Sequence, residues 1–178
     1  MKAVLISIQP KWCGLIASGK KTVEVRKTKP KLETPFKCYI YCTQGKGITD
    51  NYRLENNDLG NSKVIGEFVC DKIIKLNYTC GSYRCEGLDR VENDRIASAS
   101  QLSLYDMKNY LICKDGYAWH ISDLVTYDTP KVLSEFYLAC NKPSGTDCSV
   151  CIDHRENSCK SITRPPQSWC YVEDLNSR

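Results

Sequence analysis

The residues best suited to chemistry lie in one short segment, Gly19–Lys27. Apolar and polar residues alternate strictly over positions 22–26, which predicts a β-strand. Residues two apart on a strand share a face, so we expect Glu24 and Arg26 to lie side by side. A carboxylate accepts hydrogen bonds from the amino and imino edge of a base, and a guanidinium binds phosphate through two N–H groups. Lys21 adds a second positive charge at the preceding turn, so the segment predicts a nucleotide site. The alternative is a surface ion pair, which contributes about 0–1 kcal/mol.

Tryptophan and histidine side chains are further candidates for contact with a base. Stacking of a base on an aromatic ring contributes about 1–3 kcal/mol. Trp119 and Trp169 lie beside polar residues in predicted strands, whereas Trp12 lies on the apolar face of a predicted helix, where a core position is the alternative. A lone histidine on a strand, such as His120, is more often structural. The predicted ligand-binding residues besides Lys21, Glu24 and Arg26 are Trp12, Thr43, Trp119, His120 and Trp169.

Four cysteines near the C-terminus have a spacing that favours a structural zinc site. They form the pattern C-x7-C-x2-C-x7-C, and His154 inside it is an alternative ligand. Coincidence among twelve cysteines is the other explanation. The predicted zinc ligands are Cys140, Cys148, Cys151 and Cys159. Cys80 and Cys85 form a weaker pair to which we assign no role.

Positive charge is concentrated at the start of the chain. Residues 1–46 contain ten Lys and Arg against two acids, although the net charge of the whole chain is only +4. Such a distribution favours an anionic partner, and a solvated lysine surface is the alternative. No apolar run approaches the roughly 20 residues of a membrane span, and the opening apolar run is shorter than a signal-peptide core of about 7–15 residues. We therefore expect a cytoplasmic protein with reduced thiols, many of them in the core.

The elements that must position these residues follow from the apolar periodicity. Strands are predicted at 3–8, 22–26, 36–43, 63–76 with a bend at 71–72, 117–127 and the region of 169–172. A helix of about ten residues begins at Pro10, a helix over 104–111 is capped by Ser103, and one helical turn is predicted within 130–136. This order predicts an α+β fold and not a parallel sheet. We expect one domain over 1–178, with insertions at about 44–62, 77–100 and 138–162.

The segment Gly19–Arg26 resembles the G-x-K-T-x-E-x-R signature of ASCH domains, which belong to the PUA-like β-barrels. The strands around Gly66-Glu67-Phe68 and Trp119–Asp123 also look like members of that family from bacteria and their phages. The resemblance implies a small β-barrel with flanking short helices, here carrying a Cys-rich insertion. It also implies a cleft between the first helix and the barrel that binds RNA or a modified or signalling nucleotide.

Some members of the family are amidohydrolases that act on acylated cytidines, and a few others cleave RNA. The resemblance places their catalytic lysine at Lys21 and their threonine nucleophile at Glu24. A carboxylate does not replace a hydroxyl in that hydrolysis, so we expect a binding protein that can sequester a nucleotide. The alternative is an amidohydrolase or ribonuclease in which Lys21 and Glu24 exchange protons. A third possibility is a protein-interaction module whose basic surface meets an acidic partner.

Overall fold

The computed structural model describes residues 1–45, 47, 51–54, 59–139 and 161–175. The strands in this part of the chain are β1 (Lys2–Ile8), β2 (Val23–Arg26), β3 (Phe36–Cys42), β4 (Lys63–Cys70), β5 (Ile73–Thr79), β6 (Ser82–Cys85), β7 (Gly116–His120), β8 (Ser122–Lys131) and β9 (Trp169–Glu173). The helices are α1 (Pro10–Ala17), α2 (Arg90–Ser100) and α3 (Leu104–Leu111), and a single 3₁₀ turn covers Leu133–Glu135. The described helices are all too short or too polar to cross a membrane.

The described strands are hydrogen-bonded into two sheets. One sheet has the order β8-β4-β3-β1-β9, and the other has the order β2-β7-β5-β6. Strand β1 runs parallel to β3 and antiparallel to β9, whereas the pairs β2–β7, β5–β7 and β5–β6 are antiparallel. The predicted α+β class is confirmed, whereas the described strands form two sheets and no closed barrel.

The chain divides into two compact units. The first contains residues 1–14, 37–68 and 125–178. Its apolar core includes Leu5, Tyr39 and Phe136, and the Tyr39 and Phe136 rings meet edge to face at 5.0 Å. Beside this core, the Tyr39 hydroxyl donates to Asp174 Oδ1 at 2.8 Å, while Lys37 Nζ lies 3.0 Å from Glu67 Oε1.

The second unit contains residues 15–36 and 69–124. One face of its sheet carries Val23, Val25 and Leu76, which pack with Met107 and Leu111 of α3 in a second apolar core. The predicted helix over 104–111 is confirmed, and its cap has a physical basis. The Ser103 hydroxyl accepts a hydrogen bond from the backbone N–H of Asp106, and the Asp106 carboxylate accepts one from the backbone N–H of Ser103.

The structure refines the sequence prediction at several places, and it divides the predicted strand over 117–127 into β7 and β8, which belong to different sheets. The predicted strand over 63–76 is two strands, separated at the expected bend by Asp71 and Lys72. The region 77–98, which the sequence did not assign, contains β6 and most of α2. Helix α1 buries Cys13 and Ile16 completely, whereas Trp12 is only half-buried. Cysteines predicted for the core are buried, as Cys38, Cys42 and Cys70 show.

The glycines at 66 and 14 provide a matched test of this packing in the first unit. A Cβ at Gly66 would overlap the carbonyl oxygen of Val125, whereas at Gly14 it would meet only Tyr52 Cδ2, at 3.7 Å. We expect Gly66→Ala to lower the free energy of unfolding by about 1–3 kcal/mol. Gly14→Ala, on helix α1, should raise it by up to about 1 kcal/mol. Urea denaturation followed by circular dichroism measures both, and equal stabilities for the two variants would contradict the described packing of β4.

Candidate functional site

Strand β2 separates an apolar side from a charged side. Val23 and Val25 belong to the apolar core of the second unit, so Glu24 and Arg26 project from the opposite face. On β7, Trp119 lies opposite Glu24 in the antiparallel register. All four residues of β2 are buried, so the charged face is not a solvated surface.

Backbone hydrogen bonds join the turn before β2 to the C-terminal ends of helices α1 and α2. Gly19 adopts the left-handed region with φ of 71°, where a glycine is favoured, and the Lys21 N–H donates to the Leu15 carbonyl at 2.9 Å. The next residue, Thr22, donates its N–H to the Ala99 carbonyl at 3.1 Å. These backbone bonds place the Lys21 side chain at the C-terminal end of α2.

Glu24 lies between the two cations, and the three side chains form what we call the charge triad (Lys21, Glu24 and Arg26). Lys21 Nζ lies 3.3 Å from Glu24 Oε2, and Arg26 Nη2 lies 3.1 Å from Glu24 Oε1. Lys21 Nζ also donates to the Ser100 carbonyl at 2.5 Å. Because Ser100 is the last residue of α2, its carbonyl lies at the negative end of the helix dipole and favours an ammonium group. Exposed fractions of 1% for Lys21, 7% for Glu24 and 5% for Arg26 exclude a surface ion pair.

Burial changes the acidity of the triad lysine. Loss of hydration lowers the pKa of Lys21 below its ordinary value. The Glu24 carboxylate opposes this change by its charge and its hydrogen bond, and the Arg26 charge lowers the pKa further. Lys21 is thus a more acidic ammonium than an exposed lysine, and its neutral form is correspondingly easier to reach.

Ser100 and Tyr110 are site residues that sequence reasoning missed. Ser100 contributes a backbone carbonyl from a position 79 residues away, which no side-chain pattern identifies. Tyr110 of α3 interacts with Arg26, and its ring lies 5.3 Å from Lys27 Nζ. Lys27 and Tyr110 pair as cation and aromatic ring although they are 83 positions apart, so no local pattern identifies the pair.

Trp119 and His120 of β7 differ in environment. Trp119 is fully buried and meets the ring of Phe36 edge to face at 5.9 Å. His120 is half-exposed, and its Nδ1 lies 2.7 Å from Asp71 Oδ1. Both residues belong to the second unit, as the triad does. Their predicted contact with a ligand stays a prediction.

The remaining predicted ligand-binding residues belong to the first unit. Trp12 is half-buried with Lys11 Nζ 4.5 Å from its ring centre. Trp169 is half-buried beside Tyr171, at 5.4 Å between ring centres, and Thr43 donates its N–H to the Ile8 carbonyl at 2.8 Å. Their roles in ligand binding also stay predictions.

The predicted zinc ligands Cys140, Cys148, Cys151 and Cys159, with His154, lie outside the described residues. Within the described residues, no three His, Cys, Asp or Glu side chains are grouped as metal ligands. Cys80 is exposed at the turn between β5 and β6, whereas Cys85 is buried. Burial raises the pKa of Cys70 to about 12 and of Cys170 to about 11, so neither thiol is a ready nucleophile.

Comparison with solved structures identifies the fold. The crystal structure of ASCH from Zymomonas mobilis superposes with a TM-score of 0.59 and 20% sequence identity, covering 98% of this chain and 90% of that one. A tyrosine-to-phenylalanine mutant of the same protein gives a TM-score of 0.58 at 20% identity, covering 97% and 91%. A serine-to-alanine mutant gives a TM-score of 0.56 at 19% identity, covering 96% of this chain and 88% of that one. The chain therefore has the fold of the ASCH protein from Zymomonas mobilis, in agreement with the resemblance at 19–26. No protein-family model matches the sequence, and no curated protein sequence matches it either.

The central carboxylate of the triad gives a stability prediction. Glu24→Gln leaves two buried cations without their shared counter-ion, so the free energy of unfolding should fall by about 3–5 kcal/mol. Glu33→Gln removes the same charge from an exposed position and should change it by less than about 0.5 kcal/mol. Urea denaturation measures the free energy of unfolding of the two variants. Equal changes in Glu24→Gln and Glu33→Gln would show that Glu24 has no special electrostatic role.

The acidity of Lys21 gives a second prediction. In a pH titration followed by NMR of lysine side-chain signals, Lys21 should lose its proton at a pH below the ordinary pKa of a lysine. Because Glu24 stabilises the ammonium form, Glu24→Gln should lower the Lys21 pKa further, and removal of the like charge in Arg26→Met should raise it. A Lys21 signal that titrates at the ordinary pKa of a lysine in the unaltered protein would refute the assignment.

Proposed function

We propose that this protein binds RNA or a nucleotide at the charge triad of the second unit, without chemical turnover. The observation that carries the proposal is the buried cluster in which Glu24 lies within 3.3 Å of both Lys21 and Arg26. Two cations and one carboxylate carry a net charge of +1, which attracts an anion. A phosphate near Arg26 and Lys21 would form charge-assisted hydrogen bonds, and these are stronger at a buried site than in water.

The carboxylate gives such a site a means of selecting a base. Glu24 accepts hydrogen bonds in its ionised form, so it pairs with amino and imino N–H groups of a base edge. A ligand that offers a donor edge and a phosphate therefore matches the three charges better than a plain anion does. The ASCH fold and the Lys27–Tyr110 pairing support the same ligand class. Binding of a free nucleotide in this way would sequester it in the cytoplasm, where we place the protein.

Catalysis is the second candidate, and the lowered pKa of Lys21 is the observation that favours it. A lysine with a lowered pKa has a larger neutral fraction that is available to act as a base, and Glu24 lies within reach to exchange protons with it. Against hydrolysis, a carboxylate stands where the hydrolytic relatives have a hydroxyl nucleophile. The zinc site proposed for the four C-terminal cysteines is structural and has no part in either function.

The two lysines at the helix-to-strand turn provide a test with a matched control. Lys21 is buried in the triad, whereas its neighbour Lys20 is exposed. We expect Lys21→Met to weaken retention of nucleotides and short RNAs by about 10-fold to 100-fold, the loss of one charge-assisted hydrogen bond. Lys20→Met should change retention by less than about 3-fold. Purified protein is incubated with nucleosides, nucleotides and short RNAs, and the bound and released species are identified by mass spectrometry.

The outcomes separate the candidates. Unchanged ligand bound in stoichiometric amount and lost in Lys21→Met supports binding. Conversion of a nucleoside, nucleotide or RNA to product at catalytic protein concentration would contradict the binding proposal and support catalysis. Retention that falls equally in both variants would assign binding to general surface charge. No retention of any ligand would favour the third possibility, a protein-interaction module with a basic surface. Circular dichroism of Lys21→Met confirms folding, and Glu24→Gln serves as the second triad variant.

A further inference from the structure

The second unit contains a pocket on the opposite side of β2 from the charge triad. It has a volume of about 180 Å³ and lies between the sheet and helices α2 and α3. Val25, Leu76 and Met107 are buried and form part of its floor, whereas Ser82, Asp94 and Leu104 are exposed and mark its mouth. The pocket is therefore open to solvent at one end and apolar at the other.

The size of the pocket limits what it can hold. An engineered apolar cavity of about 150 Å³ in another protein binds benzene. A pocket of 180 Å³ accordingly has room for one substituted aromatic ring. Its sulfur-containing and aliphatic wall, which includes Met107 and Cys85, suits the face of such a ring. None of the described residues that line it is a lysine or arginine, so a phosphate would find no counter-charge there.

Two neighbouring side chains of α2 provide the polar contacts. Asn93 Oδ1 accepts a hydrogen bond from the Cys85 backbone N–H at 2.8 Å, which fixes the orientation of the amide. Its Nδ2 group forms no hydrogen bond with a described residue, so this part of the amide can donate to a ligand. The next residue, Asp94, forms no ion pair with a described residue, and its carboxylate accepts hydrogen bonds. These two side chains thus offer one donor beside one acceptor, and the buried Tyr83 hydroxyl also lines the pocket.

We propose that this pocket binds a single heteroaromatic ring that has an amino group next to a ring nitrogen and no phosphate. The ring occupies the apolar floor at Val25, Leu76 and Met107, its amino group donates to Asp94, and its ring nitrogen accepts from Asn93. A plain hydrocarbon ring leaves both polar contacts unmade, and an anionic ligand is repelled by Asp94. Glu24 and Arg26 project from the other face of β2, and Ser100, whose carbonyl accepts from Lys21, also lines the pocket.

Met107 makes the pocket directly observable. The chain has two methionines, and the other one, Met1, is 88% exposed. In protein labelled with ¹³C-methyl methionine, 2-aminopyrimidine should shift the Met107 signal in a saturable manner and leave Met1 unchanged. We expect this in a titration to on the order of 10 mM, the range suited to a ligand of so few atoms. Benzene and cytidine 5′-monophosphate should bind at least about 10-fold more weakly at Met107.

Two pairs of variants test the contacts. Asp94→Asn removes the acceptor charge and should weaken 2-aminopyrimidine at least about 10-fold, whereas Glu92→Gln changes an exposed acid of α2 outside the pocket and should have no effect. Ala97→Leu fills the pocket and should abolish the Met107 shift, whereas Ser98→Leu adds the same side chain at an exposed position outside it. Thermal denaturation confirms that each variant is folded.

The proposal is overturned if Met107 does not shift, if Ala97→Leu leaves the shift unchanged, or if benzene binds as well as 2-aminopyrimidine. Its failure is distinguishable from failure of the proposed function. Lys21→Met should weaken retention of nucleotides and RNA by about 10-fold to 100-fold and leave the Met107 titration intact, whereas Ala97→Leu should abolish the Met107 shift and leave retention unchanged. A Met107 shift that disappears in Lys21→Met would instead assign the ligand to the charge triad and refute a separate pocket.

Discussion

The Glu24 carboxylate is the group on which the charged side of the second unit depends. It is shared by Lys21 and Arg26, and all three side chains are buried. Removing an ion from water costs several kcal/mol, which is offset only where opposite charges and hydrogen bonds are close. Glu24 supplies the opposite charge, and the Ser100 carbonyl supplies a further hydrogen bond to Lys21. Strand β2 has charged residues on one face and valines on the other. It is stable because the charged residues pair with one another and the valines pack in the apolar core of the second unit.

Helix α2 contributes to the charged side and to the apolar side of β2 at once. Its last two residues, Ala99 and Ser100, accept hydrogen bonds from Thr22 and Lys21, so the negative end of the helix dipole lies against the ammonium group. The same helix forms part of the wall of the 180 Å³ pocket. Only Ser100 is buried in α2, because the helix covers the sheet without filling the space beneath it. One short helix therefore positions a charge and leaves a cavity.

Local patterns allowed much of the fold to be predicted. The strict alternation at 22–26 predicted β2, and the Ser103 cap predicted where α3 begins, because strand pleating and helix capping depend on residues a few positions apart. The region of β6 and α2 could not be predicted, because its residues are mostly polar and its apolar spacing is weak. Trp119 shows the same limit for the site: its residue type suggested stacking on a base, and only the structure shows that it is buried against Phe36.

By itself, the sequence determined that Glu24 and Arg26 share one strand face with Lys21 at the preceding turn, and that the segment resembles the ASCH signature. It could not determine whether these charges meet water or lie inside the protein, because that depends on what covers the strand. Only the tertiary structure decided this, by bringing Ser100 from 79 residues away against Lys21 and Trp119 beside Glu24. Burial then changed the chemistry, since loss of hydration lowers the pKa of Lys21 and strengthens the contacts with Glu24.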